Sequence, residues 1–214
     1  PIITFTGFSG SGKTTAISGV IRELTARGYK VTSIKHDGHG HKLEGKSGSD
    51  SELHKNAGAV CSIISNKNGY MLVADSSRDA SPQELAALAP ANTDIVICEG
   101  FKNAIDIAKI EVYRTGGERS NKGDKNLVAV AADTEIDESV KKLDLNDHKA
   151  IADFIEESYL KTRPNIALHL IVDGEHVPTK DFILQMLTYS IHGLIKPLKG
   201  CDDPKEIIIK ATYK

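Results

Sequence analysis

The first fifteen residues contain a spacing of glycine, lysine and threonine that is typical of phosphate binding. The run Gly7–Thr15 reads GFSGSGKTT and fits the pattern G-x-x-x-x-G-K-[ST]. Glycines tolerate the backbone dihedrals that let consecutive N–H groups surround an anion. We expect Lys13 to act as the catalytic cation at the β and γ phosphates of a nucleoside triphosphate, and the Thr14 hydroxyl to ligate Mg²⁺. The residues predicted to bind the nucleotide are Ser9, Gly10, Ser11, Gly12, Lys13, Thr14 and Thr15.

The sequence on either side of this loop predicts the strand and the helix that must position it. The apolar run at residues 2–6 is typical of a buried strand. After the loop, Ala16, Ile17, Val20 and Leu24 recur at helical spacing, and Gly28 is suited to end that helix. A second strand at 29–34 would complete a β–α–β unit, which is the building block of a parallel sheet.

The remainder of the first 160 residues continues this α/β pattern. The turn sequence Asn66-Lys67-Asn68-Gly69 predicts an antiparallel hairpin over 59–74. We therefore predict a phosphate-loop NTPase of the α/β class, with a mostly parallel sheet, flanking helices and a β-hairpin. The other predicted elements are helices at 50–56, 81–88 and from 146 or 147 to 160, and strands at 94–98, 109–113 and 127–131.

A change of composition at residues 161–165 predicts a domain boundary. We expect a phosphate-loop domain at 1–160 and a small C-terminal unit at 165–214, of β-α-β-like pattern and unassigned role. Its predicted elements are a strand at 166–172, a helix from 177 to about 194 and a strand at 206–211. About 50 residues make a marginal independent fold, so this unit is expected to pack on the main domain or on a second subunit.

The overall composition excludes several partners. The 27 basic and 29 acidic residues give a formal charge of −2, so no basic field favours nucleic acid or an anionic membrane. Neither a membrane span nor a leader peptide is recognisable, and a cytoplasmic location is the expectation. The three widely spaced cysteines, Cys61, Cys98 and Cys201, are expected to be free thiols.

Several polar residues are candidates for the rest of a nucleotide site. Glu99 follows an apolar strand and is the predicted second catalytic residue, either as a Mg²⁺ ligand or as a group that orients the attacking water. Asp50 is either the N-cap of a helix or a metal ligand. Asp133, after the strand at 127–131, is a candidate acceptor for the guanine N1–H and amino group. The Asn-Lys-x-Asp signature of many GTPases is missing.

Four histidines, His36, His39, His41 and His54, fall within 19 residues. Imidazole is a common ligand of zinc and nickel, yet a glycine-rich loop without cysteine does not fix a metal geometry. Contact with a ligand, or exposure to solvent, is therefore the favoured interpretation. The candidates for ligand contact outside the phosphate loop are Lys35, His36, His39 and Lys102.

Three further segments, in the right order and spacing, resemble the MobB family, the molybdopterin-guanine dinucleotide biosynthesis proteins B. One is Lys-His-x-x-His from Lys35 to His39. A second is Gly48-Ser49-Asp50-Ser51 followed by Ala57-Gly58-Ala59, and the third is Glu99-Gly100-Phe101-Lys102, leading to Lys109-Ile110-Glu111. The resemblance covers residues 1–160. Two residues depart from the family pattern: Ser49 replaces a lysine, and Cys98 replaces an aliphatic residue.

The resemblance implies a phosphate-loop domain that forms a homodimer. It further implies binding and slow hydrolysis of GTP with Mg²⁺, and help to a MobA-like nucleotidyltransferase that attaches GMP to molybdopterin, which is itself a possible ligand. No function transfers to residues 165–214. Two alternatives are a nickel or zinc metallochaperone GTPase that uses the histidine-rich loop, and a small-molecule kinase, for which the phosphate loop alone would suffice.

Overall fold

The computed structural model of the chain describes residues 1–38, 49–90, 92–136, 139–161, 168, 170–173, 175–177, 179–201, 207–209 and 211. Within these ranges the strands are β1 (Ile2–Thr6), β2 (Val31–Lys35), β3 (Cys61–Asn66), β4 (Gly69–Ala74), β5 (Ile95–Glu99), β6 (Ala108–Tyr113), β7 (Leu127–Ala132), β8 (Lys141–Asp144), β9 (Ile171–Val172) and β10 (Glu175–His176). The helices are α1 (Lys13–Ala26), α2 (Asp50–Asn56), α3 (Pro82–Ala86), α4 (His148–Ile155) and α5 (Asp181–Ile195), and a π-helical turn at Glu156–Leu160 extends α4.

Six strands form one parallel sheet in the order β2-β5-β1-β6-β7-β8. The phosphate-loop sequence follows β1, so the loop lies at the carboxyl edge of the sheet, between the ends of β5 and β6. Ligands of open parallel sheets bind at this edge. The order therefore brings the chain after β5 and the chain after β6 to the two sides of the loop.

Alternating side chains of the central strands build a core on each face of the sheet. Ile3 and Phe5 point with Ile97 into the larger core, which α1 and α4 cover. Val96 and Cys98 point to the opposite face, where α3 lies. Strands that are buried on both faces read as nearly continuous apolar runs, which is why the sequence revealed them.

Local sequence signals position the helices as predicted. Ser81 and Glu84 form a reciprocal capping box at the start of α3. Asp147 caps α4 through a hydrogen bond from Ala150 N to its carboxylate. Gly28, just beyond the end of α1, has the left-handed φ of 94° that favours glycine. The α/β class and the parallel sheet are confirmed.

Residues 37–80 form a separate compact unit. It contains α2 and the antiparallel hairpin of β3 and β4, with Asn66 paired to Gly69 as predicted. Within this unit Lys55 forms an ion pair with Asp75. The hairpin exposes large apolar side chains: Ile63, Tyr70, Met71 and Leu72.

The structure differs from the sequence prediction at β8 and in the C-terminal part. Strand β8 was not predicted, because it is a short edge strand, KKLD, whose only buried side chain is that of Leu143. In the C-terminal part, β9 pairs with β10 as a hairpin before α5. Of the predicted final strand at 206–211, residues 207–209 and 211 are described and lie in no strand. Ile208 and Ile209 are exposed, and the other residues of that predicted strand lie outside the described ranges. The predicted boundary at 161–165 falls mostly on residues outside the described ranges and stays a prediction.

The three cysteines are free thiols, as predicted. Burial raises the pKa of the Cys98 thiol to about 12. Among the described residues, no helix is both long and apolar enough to cross a membrane.

Candidate functional site

The phosphate loop adopts backbone angles that its glycines permit. Gly7, Gly10 and Gly12 have φ values of 136°, 78° and 95°, in the region that side chains disfavour. A Cβ on Gly7 would lie 2.4 Å from the carbonyl oxygen of Val112 in β6. Gly7 is therefore required both by its dihedral and by the close approach of the neighbouring strand.

Lys13 is the first residue of α1 and folds back across the loop. Its Nζ donates hydrogen bonds to the carbonyl oxygens of Gly7 at 2.9 Å and Phe8 at 2.7 Å. Burial lowers the pKa of Lys13, and Glu99 opposes that shift while Lys35 adds to it. The ammonium group is thus held at the mouth of the loop, beside the amino end of α1, where an anion is favoured.

Thr14 and Glu99 lie side by side on the β5 side of the loop. The Thr14 hydroxyl is 3.0 Å from each carboxylate oxygen of Glu99, and Lys35 Nζ is 3.6 Å from Glu99 Oε1. The structure therefore brings together three predicted residues from different elements. A hydroxyl and a carboxylate are oxygen donors of the kind that Mg²⁺ prefers, so this pair fits the predicted cation.

The chain turns tightly after Glu99. Gly100 has a φ of 96°, and a Cβ there would lie 3.3 Å from the Cβ and the carbonyl oxygen of His36. The His36 and Phe101 rings lie 4.6 Å apart, and His36 N donates to Glu99 O at 3.0 Å. Thus His36 packs against the turn that follows Glu99. The carbonyl of Lys102 accepts from Lys109 Nζ at 2.7 Å, while the Lys102 side chain is exposed.

Asp50 is the first residue of α2, in the compact unit of residues 37–80. Its predicted alternative as N-cap is wrong, because Ser49 occupies that position with extended backbone. His54 is exposed in the same helix, and His39 and His41 lie outside the described residues. Among the residues that the structure describes, no group of three or more histidine, cysteine, aspartate or glutamate side chains could hold a metal ion.

Asp133 lies just beyond β7, with its carboxylate oriented by the neighbouring loop. Thr115 donates to Asp133 Oδ1 through its backbone N–H at 2.8 Å and its hydroxyl at 3.1 Å. The Thr115 N–H is the main cause of the lowered pKa of Asp133. These bonds occupy part of the acceptor capacity that the guanine prediction would use, and that prediction stays a prediction.

Arg114 is a residue of this site that sequence reasoning missed. It follows β6 directly, and its Nε donates to the Ser11 carbonyl of the phosphate loop at 3.2 Å. Its Nη1 lies 3.6 Å from Asp133 Oδ2. Beside it lies a cavity of about 280 Å³, lined by residues 8–11 and 112–118. The available signal was a single arginine at the carboxyl end of a predicted strand.

The loop that carries Arg114 is fixed by charges buried in β6. Glu111, 1% exposed, accepts from Arg119 Nε at 2.9 Å and Nη2 at 2.8 Å on one oxygen, and from Ser120 on the other. Lys109, 2% exposed, donates to Asp124 at 2.6 Å. Burial raises the pKa of Asp124, but hydrogen bonds, first that from Lys109, lower it overall. The segment Lys109-Ile110-Glu111 thus anchors the wall of the cavity.

Comparisons with known proteins agree with this architecture. A family model described as "MobB: Molybdopterin guanine dinucleotide synthesis protein B" matches residues 2–133. The molybdopterin-guanine dinucleotide biosynthesis adapter protein of Escherichia coli (strain K12) is 35% identical over 164 residues, which cover 73% of this chain and 92% of that protein. The protein of the same name from Haemophilus influenzae is 35% identical over 158 residues, covering 73% of this chain and 88% of that protein.

A solved structure shares the fold. The crystal structure of a MobB protein homolog from Bacillus stearothermophilus aligns with a TM-score of 0.58 at 21% identity, covering 76% of this chain and 99% of that chain. At this identity the similarity supports the arrangement of strands and helices rather than any particular ligand.

Proposed function

The chain belongs to the MobB family, and from that membership we propose that it acts in molybdenum cofactor biosynthesis as a GTP-binding accessory protein. Its role is to assist the attachment of GMP to molybdopterin, which yields molybdopterin guanine dinucleotide. The family relationship supports the pathway, and the phosphate loop supports the nucleotide. The comparisons support neither the metallochaperone nor the kinase alternative.

The observation that carries the nucleotide part of the proposal is the convergence of Lys13, Thr14 and Glu99 at the carboxyl edge of the sheet. The Thr14 hydroxyl and the Glu99 carboxylate, 3.0 Å apart, would hold Mg²⁺, which neutralises charge on the β and γ phosphates when bound. Lys13 and the N–H groups of the loop would bind the phosphate oxygens. Guanine as the base is part of the proposal and derives from the family.

Slow hydrolysis of GTP is consistent with this arrangement. Lys13 would stabilise the negative charge on the transferred phosphoryl group. Glu99 is the carboxylate at this edge that would either hold the cation or accept a hydrogen bond from the attacking water. Occupancy of the site, more than rapid turnover, would then support the partner enzyme.

The proposed partners are a second copy of the chain, a MobA-like nucleotidyltransferase in the cytoplasm, and molybdopterin. Support for protein association comes from α5, which exposes the apolar side chains of Phe182, Tyr189 and Leu194. Apolar side chains exposed along one helix are typical of surfaces that bind other proteins. The C-terminal unit is therefore proposed to serve in docking or in the dimer.

The test is titration of the full chain with GTP, with and without Mg²⁺, beside the variant Glu99→Gln. Neutralising the carboxylate should abolish most of the gain in GTP affinity that Mg²⁺ provides, and should slow turnover. Glu135→Gln is the matched control, because Glu135 is 98% exposed and its carboxylate lies 3.6 Å from Lys142 Nζ. If Glu99→Gln leaves both the Mg²⁺-dependent affinity and the turnover unchanged, the role of Glu99 is wrong.

A further inference from the structure

Arg114 places a second cation on the phosphate loop, on the side opposite Glu99. Lys13, Thr14 and Glu99 lie toward β5, whereas Arg114 follows β6, the neighbour of β1 on the other side. Its guanidinium lies within 3.2–3.7 Å of a Cβ built on Gly12, and its Nε donates to Ser11 O. The loop therefore has a charged group on each flank, contributed by a different strand.

This arrangement would give a bound nucleotide a direction. Thr14 and Glu99 would hold Mg²⁺ beside the terminal phosphates, whose charge it would neutralise, and would so favour the γ end toward β5. The α-phosphate, ribose and base would then extend across the loop toward β6 and β7. A half-open pocket of about 280 Å³, lined by residues 8–11 and 112–118, lies on that side.

We propose that Arg114 contacts the ribose and base of the nucleotide, and so acts as a binding residue for the nucleoside half. The inference rests on the proposed function, since it concerns the same GTP site. A guanidinium is planar, presents five N–H donors in a fixed fork and can stack on a base. At 48% exposure its side chain is accessible to a ligand.

Two features hold Arg114 ready for this contact. Asp133 lies 3.6 Å from its Nη1 and is itself held by two hydrogen bonds from Thr115. The same loop is fixed further along by Arg119 and Ser120, which donate to the buried Glu111. A side chain whose conformation is set before binding loses less entropy when it meets the ligand.

The test compares two ligands, Mg–GTP and Mg–tripolyphosphate, by isothermal titration calorimetry. Tripolyphosphate keeps the phosphates but lacks ribose and base, so it separates a contact to the nucleoside from mere support of the loop. Arg114→Gln should bind Mg–GTP about tenfold or more weakly, the usual scale for a lost charge-assisted contact. Its affinity for Mg–tripolyphosphate should match that of the wild type.

Arg114→Lys is measured in parallel and keeps the positive charge without the planar fork, which covers the case in which the glutamine variant does not fold. It should also lose affinity for Mg–GTP alone. Arg22→Gln is the matched control, because Arg22 on α1 donates to Ser18 O of its own helix at 3.2 Å and is not part of the phosphate loop. It should bind both ligands as the wild type does.

Two results would overturn the inference while leaving the proposed function intact. One is unchanged affinity for Mg–GTP in the Arg114 variants. The other is an equal loss of affinity for both ligands, which would make Arg114 a support of the phosphate loop. A wild-type chain that binds neither ligand would instead overturn the proposed function, and this inference with it.

Discussion

Replacing Glu111 by glutamine should destabilise the protein strongly, although the two side chains have almost the same shape. The carboxylate is 1% exposed and only accepts hydrogen bonds. One oxygen receives Arg119 Nε and Nη2 at 2.9 and 2.8 Å, and the other receives the N–H groups of Ser120 and, at 3.4 Å, Asn121. In either orientation of a glutamine amide, its NH₂ group would therefore face donors.

The expected cost follows from this geometry. Removing one partner of a buried ion pair costs about 3–5 kcal/mol, because the remaining charge is left uncompensated. That is a large part of the roughly 5–15 kcal/mol that stabilises a typical domain. With a urea m-value of about 2 kcal/mol/M, the unfolding midpoint of Glu111→Gln should fall by about 1.5–2.5 M.

The assay is urea unfolding of the full chain, followed by circular dichroism. Glu118→Gln is the matched control, since Glu118 is an exposed residue of the same loop and surface substitutions usually change stability by less than about 0.5 kcal/mol. A double-mutant cycle with Arg119→Gln should show a coupling of at least about 1 kcal/mol. A loss below about 1 kcal/mol for Glu111→Gln, or additive effects in the cycle, would show that the buried Glu111–Arg119 pair does not stabilise the fold.

Two further predictions concern contacts made by α1 and by Arg27, the residue that follows it. Gly19→Ala should lower the free energy of unfolding by about 1–3 kcal/mol, because a Cβ there would lie 2.2 Å from His148 Nδ1. Urea unfolding should show that the double variant Gly19→Ala/His148→Ala recovers most of that loss. Equal losses with and without His148 would contradict the prediction. Arg27 donates to Glu156 at 2.6 Å and is the first cause of that residue's lowered pKa. Because the pKa of Glu156 is lower in the folded than in the unfolded chain, where it is about 4.3, Glu156 stabilises the fold at higher pH and this stabilisation is lost as the pH falls. The decline in stability below about pH 5 should therefore be shallower in Arg27→Gln. Parallel profiles of melting temperature against pH for the two proteins would contradict the prediction.

The features that sequence reasoning found are those that short segments encode. The phosphate loop is one continuous run of glycines ending in Lys13 and Thr14, and the strand before it is apolar on both faces because both faces are covered. Glu99 was recognisable because it directly follows such a strand. The capping box from Ser81 to Glu84 is equally local.

The features that it missed depend on residues distant in the chain. Arg114 belongs to the site because Ser11, 103 residues earlier, approaches it through the pairing of β1 with β6. Glu111 was noted as part of a motif, but its role depends on Arg119 and Ser120 folding back over β6. The edge strand β8 has only one buried side chain, so periodicity gave too little signal to predict it.

The most direct test of the central claim is the rate at which a purified MobA-like nucleotidyltransferase forms molybdopterin guanine dinucleotide from molybdopterin and Mg–GTP, with and without this chain. The wild-type chain should raise the rate or the yield. Lys13→Gln, verified as folded by circular dichroism, should not. No stimulation by the wild type, or equal stimulation by Lys13→Gln, would contradict the claim that this is an accessory protein acting through its nucleotide site.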